Sequence, residues 1–229
     1  MGKGDEPRPV RSDRLEVTHG PIRPPFPQRD RTSTSSSGLA ALLLGAVAIR
    51  YAAFLRAVNV AGNALSMAAL KAMLADLGFE RAKTLLQSGN VVFEASKRAD
   101  ARLETLLQRE TEQRLGVRTE YFIRDACELQ QIVEANPFER EAIEQPSRLA
   151  VVVLRHSPSA LGLERLRNSI RGPELVATGT RHVYITYPAG QADTKLTNAV
   201  IERALETRGT ARNWNTILKM QAALDGGSL

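Results

Sequence analysis

At 229 residues, 43% of them hydrophobic and 24% charged, the chain is long enough for one large domain or two small ones. Its lone cysteine, Cys127, excludes an internal disulfide and a CxxC motif, and its three histidines, His19, His156 and His182, stand too far apart for zinc-ligand spacing, so no metal and no cofactor is expected. The formal charge of +6 invites a nucleic-acid reading, but Lys and Arg form no stripe, so phosphate attraction is permitted and not indicated.

The first 37 residues hold the runs Pro24-Pro25-Phe26-Pro27 and Thr32-Ser33-Thr34-Ser35-Ser36-Ser37 without any hydrophobic period. Such a stretch buries too little apolar area to offset the entropy of ordering it. Leu39 to Ala48 is apolar, but at ten residues it is too short to span a bilayer. It looks like a signal-peptide core with Ala46-Val47-Ala48 as a cleavage site, yet 38 mixed-charge residues precede it, more than a basic leader carries. Residues 1–48 are therefore read as a disordered, dispensable extension, or as a start codon assigned too far upstream. With one cysteine and no membrane segment, the expected location is the cytoplasm.

Regular patterning begins at Arg50. Tyr51 to Val58 is an apolar strand interrupted by Arg56. Ser66 caps a helix with Met67, Leu70, Leu74 and Leu77 at helical spacing, and Gly78 stops it. Lys83 to Gln87 and Val91 to Glu94 read as strands joined by a Ser88-Gly89-Asn90 turn. Asp100 to Leu115 is a second helix and Val117 to Ile123 a strand. Asp125 with Glu128 forms a capping box for a short helix through Leu129, Ile132 and Val133, closed by Asn136-Pro137.

The order then repeats. Leu149 to Leu154 is a strand, Ser159 to Arg171 a helix, and Glu174 to Ala177 with His182 to Tyr187 a hairpin. Thr194 caps a helix through Leu196, Val200 and Ala204. Thr210 to Asn213 is a strand leading into a helix that holds Ile217, Met220 and Leu224. Both halves, 49–137 and 148–225, thus read βαββαβ plus a helix. The fold class is α+β, two ferredoxin-like halves with additional helices.

Several segments carry a resemblance. They are Tyr51-Ala52-Ala53-Phe54-Leu55-Arg56-Ala57-Val58-Asn59-Val60, Gln87-Ser88-Gly89-Asn90-Val91-Val92-Phe93, Lys195-Leu196-Thr197-Asn198 and Arg212-Asn213-Trp214-Asn215-Thr216. In this order they resemble the bacterial domain-of-unknown-function family 1697, over about Arg50 to Leu224. The resemblance implies a two-part α+β protein and no particular activity. It also implies a start shortly before the first strand, and a Gly-Ile-Asn-Val-Gly-Gly run after the first Arg. Here Ala57 and Ala61 stand in place of two of those glycines.

The polar residues of these motifs fall at strand-to-helix junctions. Arg56, Asn59 and Asn63 follow the first strand, Lys195 and Asn198 open a later helix, and Arg212, Asn213 and Asn215 lie where the last strand turns into the last helix. Helix N-termini carry unpaired N–H groups and partial positive charge, and Arg and Asn add the donors that recognise phosphate or carboxylate. At any single junction, capping and surface solvation explain the same residues. Convergence of Arg56, Lys195 and Arg212 on one cleft would need compensating anions, and only Asp193 lies within three positions of any of them. If these arginines bind ligand, Arg56→Ala or Arg212→Ala should leave stability unchanged or slightly improved.

Catalytic signals are weaker. There is no phosphate-binding loop, dinucleotide fingerprint or nucleophile elbow. Cys127 and Trp214 read as packing residues, and Gly89 to Phe93 matches part of an RNA-recognition signature without its exposed aromatic pair. Three functions follow as expectations. The first is a binding protein for a phosphate-bearing small molecule or nucleic acid at a cleft between the halves. The second is an enzyme acting on a small anionic substrate through the same cluster, with Asp193 or His182 accepting a proton. The third is a protein-interaction scaffold using an uncovered sheet face.

Overall fold

Runs of β-branched and aromatic residues set the strands, and capped amphipathic segments set the helices between them. In chain order the elements are β1 (Ile49–Arg56), α1 (Met67–Asp76), β2 (Glu80–Leu85), β3 (Asn90–Ala95), α2 (Ala101–Leu115), β4 (Glu120–Asp125), α3 (Ala126–Glu134) and α4 (Glu139–Glu144). There follow β5 (Leu149–Leu154), α5 (Ala160–Ser169), β6 (Leu175–Thr178), β7 (His182–Thr186), α6 (Asn198–Leu205), β8 (Gly209–Asn213) and α7 (Trp214–Leu224). The computed structural model describes residues 48–58, 64–85, 89–96, 101–192 and 194–226. All of them belong to one unit, Leu44–Leu229. The expected disordered extension falls outside the described residues except for Ala48, and Asn59, Asn63, Gln87, Ser88 and Asp193 fall outside them too.

Two antiparallel four-stranded sheets result, ordered β2-β3-β1-β4 and β6-β7-β5-β8. The repeat of element order therefore extends to strand order. The central strands β1 and β5 are buried on both faces, which explains why they read as continuous apolar runs instead of alternating ones. On one face of the first sheet, Tyr51, Ala53 and Leu55 pack with Leu70, Leu74 and Leu107 of α1 and α2. On the matching face of the second, Ala150 and Val152 pack with Leu166 and Ile201 of α5 and α6. The remaining faces of both sheets share a central core with α3 and α7. Phe54, Phe122, Val151, Val153 and Tyr184 meet there with Leu129, Ile132, Trp214, Ile217 and Met220. Each large side chain so buried contributes about 1.5–3 kcal/mol. Trp214, 4% exposed, is core. No helix among the described residues is long and apolar enough to cross a membrane.

Boundaries shift where local chemistry outweighs the hydrophobic pattern. β1 ends at Arg56 because Ala57 turns into the left-handed region, φ 57°. β2 begins at Glu80, and a register irregularity between Glu80 and Lys83 surrounds Arg81, φ 50°. β4 starts at Glu120, opposite Arg56, and not at Val117. α6 is capped by Thr197, whose side chain accepts from Val200 N; Thr194 instead accepts from Leu196 N and donates to Glu174. The Asp125–Glu128 capping box forms with both bonds present.

Candidate functional site

The seam between the two sheets is built on a local pseudo-twofold. In the first half, Leu55 N donates to Gly89 O at 2.7 Å, closing the end of β1 against the residue before β3. In the second, Leu154 N donates to Arg181 O at 2.9 Å, in the matching place on β5 and β7. Each pair of carbonyls then receives an arginine from the other half's last strand. Arg212 of β8 donates to Leu55 O (2.6 Å) and Gly89 O (3.3 Å). Arg124 of β4 donates to Leu154 O (2.6 Å) and Arg181 O (2.7 Å). Arg124 is 1% exposed. Burial pushes both guanidiniums down to about 10, with Arg181 adding to the effect at Arg124. Both remain charged at neutral pH.

At the edge of this seam lies an ionic network with the same exchange of partners. Arg56, ending β1, reaches Glu202 of α6 at 3.2 Å, and Arg155, following β5, reaches Glu104 of α2 at 3.2 Å. Glu104 and Glu202 each also accept a backbone N–H, from Ile123 and Gly209 at 2.9 Å. Glu120 joins the two sides, bound by Arg56 (3.0 Å), Arg155 (3.2 Å) and Arg208 (2.5 Å). Burial pushes the Glu120 carboxyl up, but hydrogen bonds from Arg208 and then Arg56 outweigh it and hold the group below the usual carboxylate range. Glu120 is therefore ionised at neutral pH.

The network opens into a recess of about 630 Å³, within the usual range for small-molecule sites. Arg56, Arg109, Arg118 and Arg208 line it against Glu112 and Glu120. Arg109 and Arg208 are 60% and 53% exposed, and each nitrogen of Arg208 bonds Glu120 or Glu202.

The residues expected to form a site are distributed as follows. Arg56 lines the recess, and Arg212 lies behind it in the seam, reaching the carbonyl of Leu55. Lys195 is exposed and precedes α6, at the opposite end of that helix from Glu202. Asn198 is the first residue of α6. Asn213 caps α7, its side chain accepting from the amide and hydroxyl of Thr216 at 2.9 and 2.8 Å, while Asn215 is exposed. Asn59 and Asn63 lie outside the described residues. His182 is 7% exposed in the seam, edge-on to Tyr184 at 4.8 Å. Burial, then Arg124, pushes it down to about 4, and it does not line the recess. Cys127 is exposed on α3. Among the described residues no group of three or more His, Cys, Asp or Glu is placed to hold a metal ion.

Arg124, Arg155, Arg208 and Glu120 were not singled out from sequence. One of them left a signal there: Arg124 shares a strand face with Phe122, two residues away, so a period of two puts a charge on an apolar face.

Fold and site together define an α+β protein of two like-ordered antiparallel sheets joined by an arginine-rich seam. The chain belongs to the family described as "Protein of unknown function (DUF1697)", which matches residues 49–184. The motifs at Lys195 and Arg212 lie beyond that match. Among solved structures the chain is similar to the conserved bacterial protein SP0830 from Streptococcus pneumoniae, at 19% identity and a TM-score of 0.60. The likeness covers 77% of this chain and 99% of that one, and at this identity it concerns the fold alone. No curated protein matches.

Proposed function

We propose that this protein binds a phosphate-bearing ligand in the recess lined by Arg56, Arg109, Arg118 and Arg208. The observation that carries the reading is four guanidiniums facing two carboxylates around one cavity of ligand size. Each guanidinium has five donors; Arg56, Arg118 and Arg208 also hold carboxylates of the network and of Glu112, while the pairing of Arg109 with Glu110 engages one of its nitrogens. Such groups suit an oxyanion better than any neutral ligand. In this reading the protein is a cytoplasmic binding module, and each βαββαβ half is ferredoxin-like.

Two rival functions lose their footing. RNA stacking or partner docking on an open sheet face needs a face that is free, whereas both sheets turn theirs into the central core. An enzyme needs a proton donor or acceptor at the recess; Glu120 is committed to three arginines, Glu112 is paired with Arg118, and His182 is buried elsewhere. The test is a thermal-shift titration of the full chain with inorganic phosphate, sugar phosphates, nucleotides and oligonucleotides. Saturable stabilisation by at least one is expected, about 2.7 kcal/mol at a hundredfold excess over Kd. Arg109→Glu, an exposed change outside the seam, should weaken that binding tenfold or more. Unchanged binding in Arg109→Glu would place the ligand somewhere else.

A further inference from the structure

We infer that the ligand of this recess is a phosphorylated sugar or polyol and not a nucleotide, a conclusion that rests on the recess being the phosphate site. The cavity wall is more than a ring of cations. Glu112, held by Arg118 on one oxygen, offers its other carboxylate oxygen as an acceptor there. The hydroxyls of Thr105 and Thr119 each donate to a backbone carbonyl, of Ala101 and Arg56 at 2.9 and 2.8 Å, which leaves their lone pairs to accept. Gln108, in the same wall, holds a buried side-chain amide nitrogen with no hydrogen-bond partner among the described residues. A buried donor left without an acceptor is costly, so an oxygen arriving beside it is favoured.

This set is mixed in donors and acceptors. A bare phosphate uses only donors and is repelled by the two carboxylates. A hydroxyl both donates and accepts, so a chain or ring of hydroxyls beside the phosphate uses the Glu112 carboxylate, the threonine lone pairs and the Gln108 amide together. A nucleobase needs an aromatic face to stack on, and no aromatic side chain is among the described residues lining the recess.

Isothermal titration calorimetry on the full chain separates the outcomes. The probes are inorganic phosphate, ribose 5-phosphate, glucose 6-phosphate and adenosine 5′-monophosphate. At least one sugar phosphate should bind tenfold or more tightly than inorganic phosphate, and adenosine monophosphate no more tightly than ribose 5-phosphate. Gln108→Leu should cost the sugar phosphate about tenfold and leave inorganic phosphate unaffected. Should that variant fail to fold, Thr105→Val, at an exposed position of the same helix, carries the same comparison. Tighter binding of adenosine monophosphate than ribose 5-phosphate overturns the inference while the phosphate site stands. So does equal affinity for sugar phosphates and inorganic phosphate. If none of the four binds, the phosphate site itself falls and the inference with it.

Discussion

The two seam arginines occupy matching places, and the residues beside them differ. Arg212 donates from Nε to the amide oxygen of Asn90 at 2.6 Å, and Asn90 itself donates to Leu85 O at 3.3 Å. The matching first residue of β7 is His182, beside Arg124, and its Nε2 is buried without a hydrogen-bond partner. An amide completes the first clamp at any pH. An imidazole stands beside the second, and only while neutral, because burial disfavours its charge and Arg124 repels a second cation. One geometry, filled by two chemistries, gives the molecule a clamp indifferent to acid and a clamp sensitive to it.

The largest effect should come from breaking the first clamp. Arg212→Ala removes charge-assisted bonds to two carbonyls and to Asn90, and should cost about 4 kcal/mol. The partners of Arg212 thus set the opposite sign to that expected of a ligand-binding arginine. Urea denaturation at pH 7 measures the loss, and a change below about 1 kcal/mol would show that the clamps do not hold the seam. The second clamp is broken by acid. His182 is lowered from the ordinary 6.5 to about 4, so between those values the unfolded chain binds the extra proton. Stability is then full above about pH 6.5 and falls toward pH 4, by about 3 kcal/mol in all. His182→Asn, copying Asn90, should flatten the curve over that window. An unchanged pH profile in that variant would assign the acid sensitivity to other groups. The smallest effect concerns the strand ends. Ala57 sits at φ 57°, whereas His156, its counterpart after Arg155, has no positive φ. Ala57→Gly should stabilise by about 0.5–1 kcal/mol and His156→Gly should not. Equal melting temperatures for wild type and Ala57→Gly would mean that the left-handed residue carries no strain.

Strand and helix positions were legible because burial on both faces makes β1 and β5 continuous apolar runs, and because Asp125, Glu128 and Ser66 are strong local caps. α4 was not, since Glu139–Glu144 buries no residue and its one large apolar side chain, Ile143, is 82% exposed. The candidate site was legible only in part. Arg56 was visible as a charge ending an apolar strand, but its carboxylates come from 64 and 146 positions away. Inspecting only the residues near each arginine suggested uncompensated cations. The fold supplies Glu120 from the neighbouring strand and Glu202 from across the seam, and no local window of sequence contains that pairing.

The last helix, Trp214–Leu224, packs not only on its own sheet but on β1 and β3 of the other. A chain made from its N-terminus outward therefore completes β3 roughly 130 residues before it completes the helix that covers it. At 5–20 residues per second, the apolar face carrying Phe54 and Val92 waits about 6 to 26 s for its cover. Until α7 arrives, α3 alone covers that side of the first sheet, and the apolar surface left over is the kind that holding chaperones take up. The ribosome thus finishes this fold at its final turn of helix, and a message truncated by a few dozen codons would release a product with an open core.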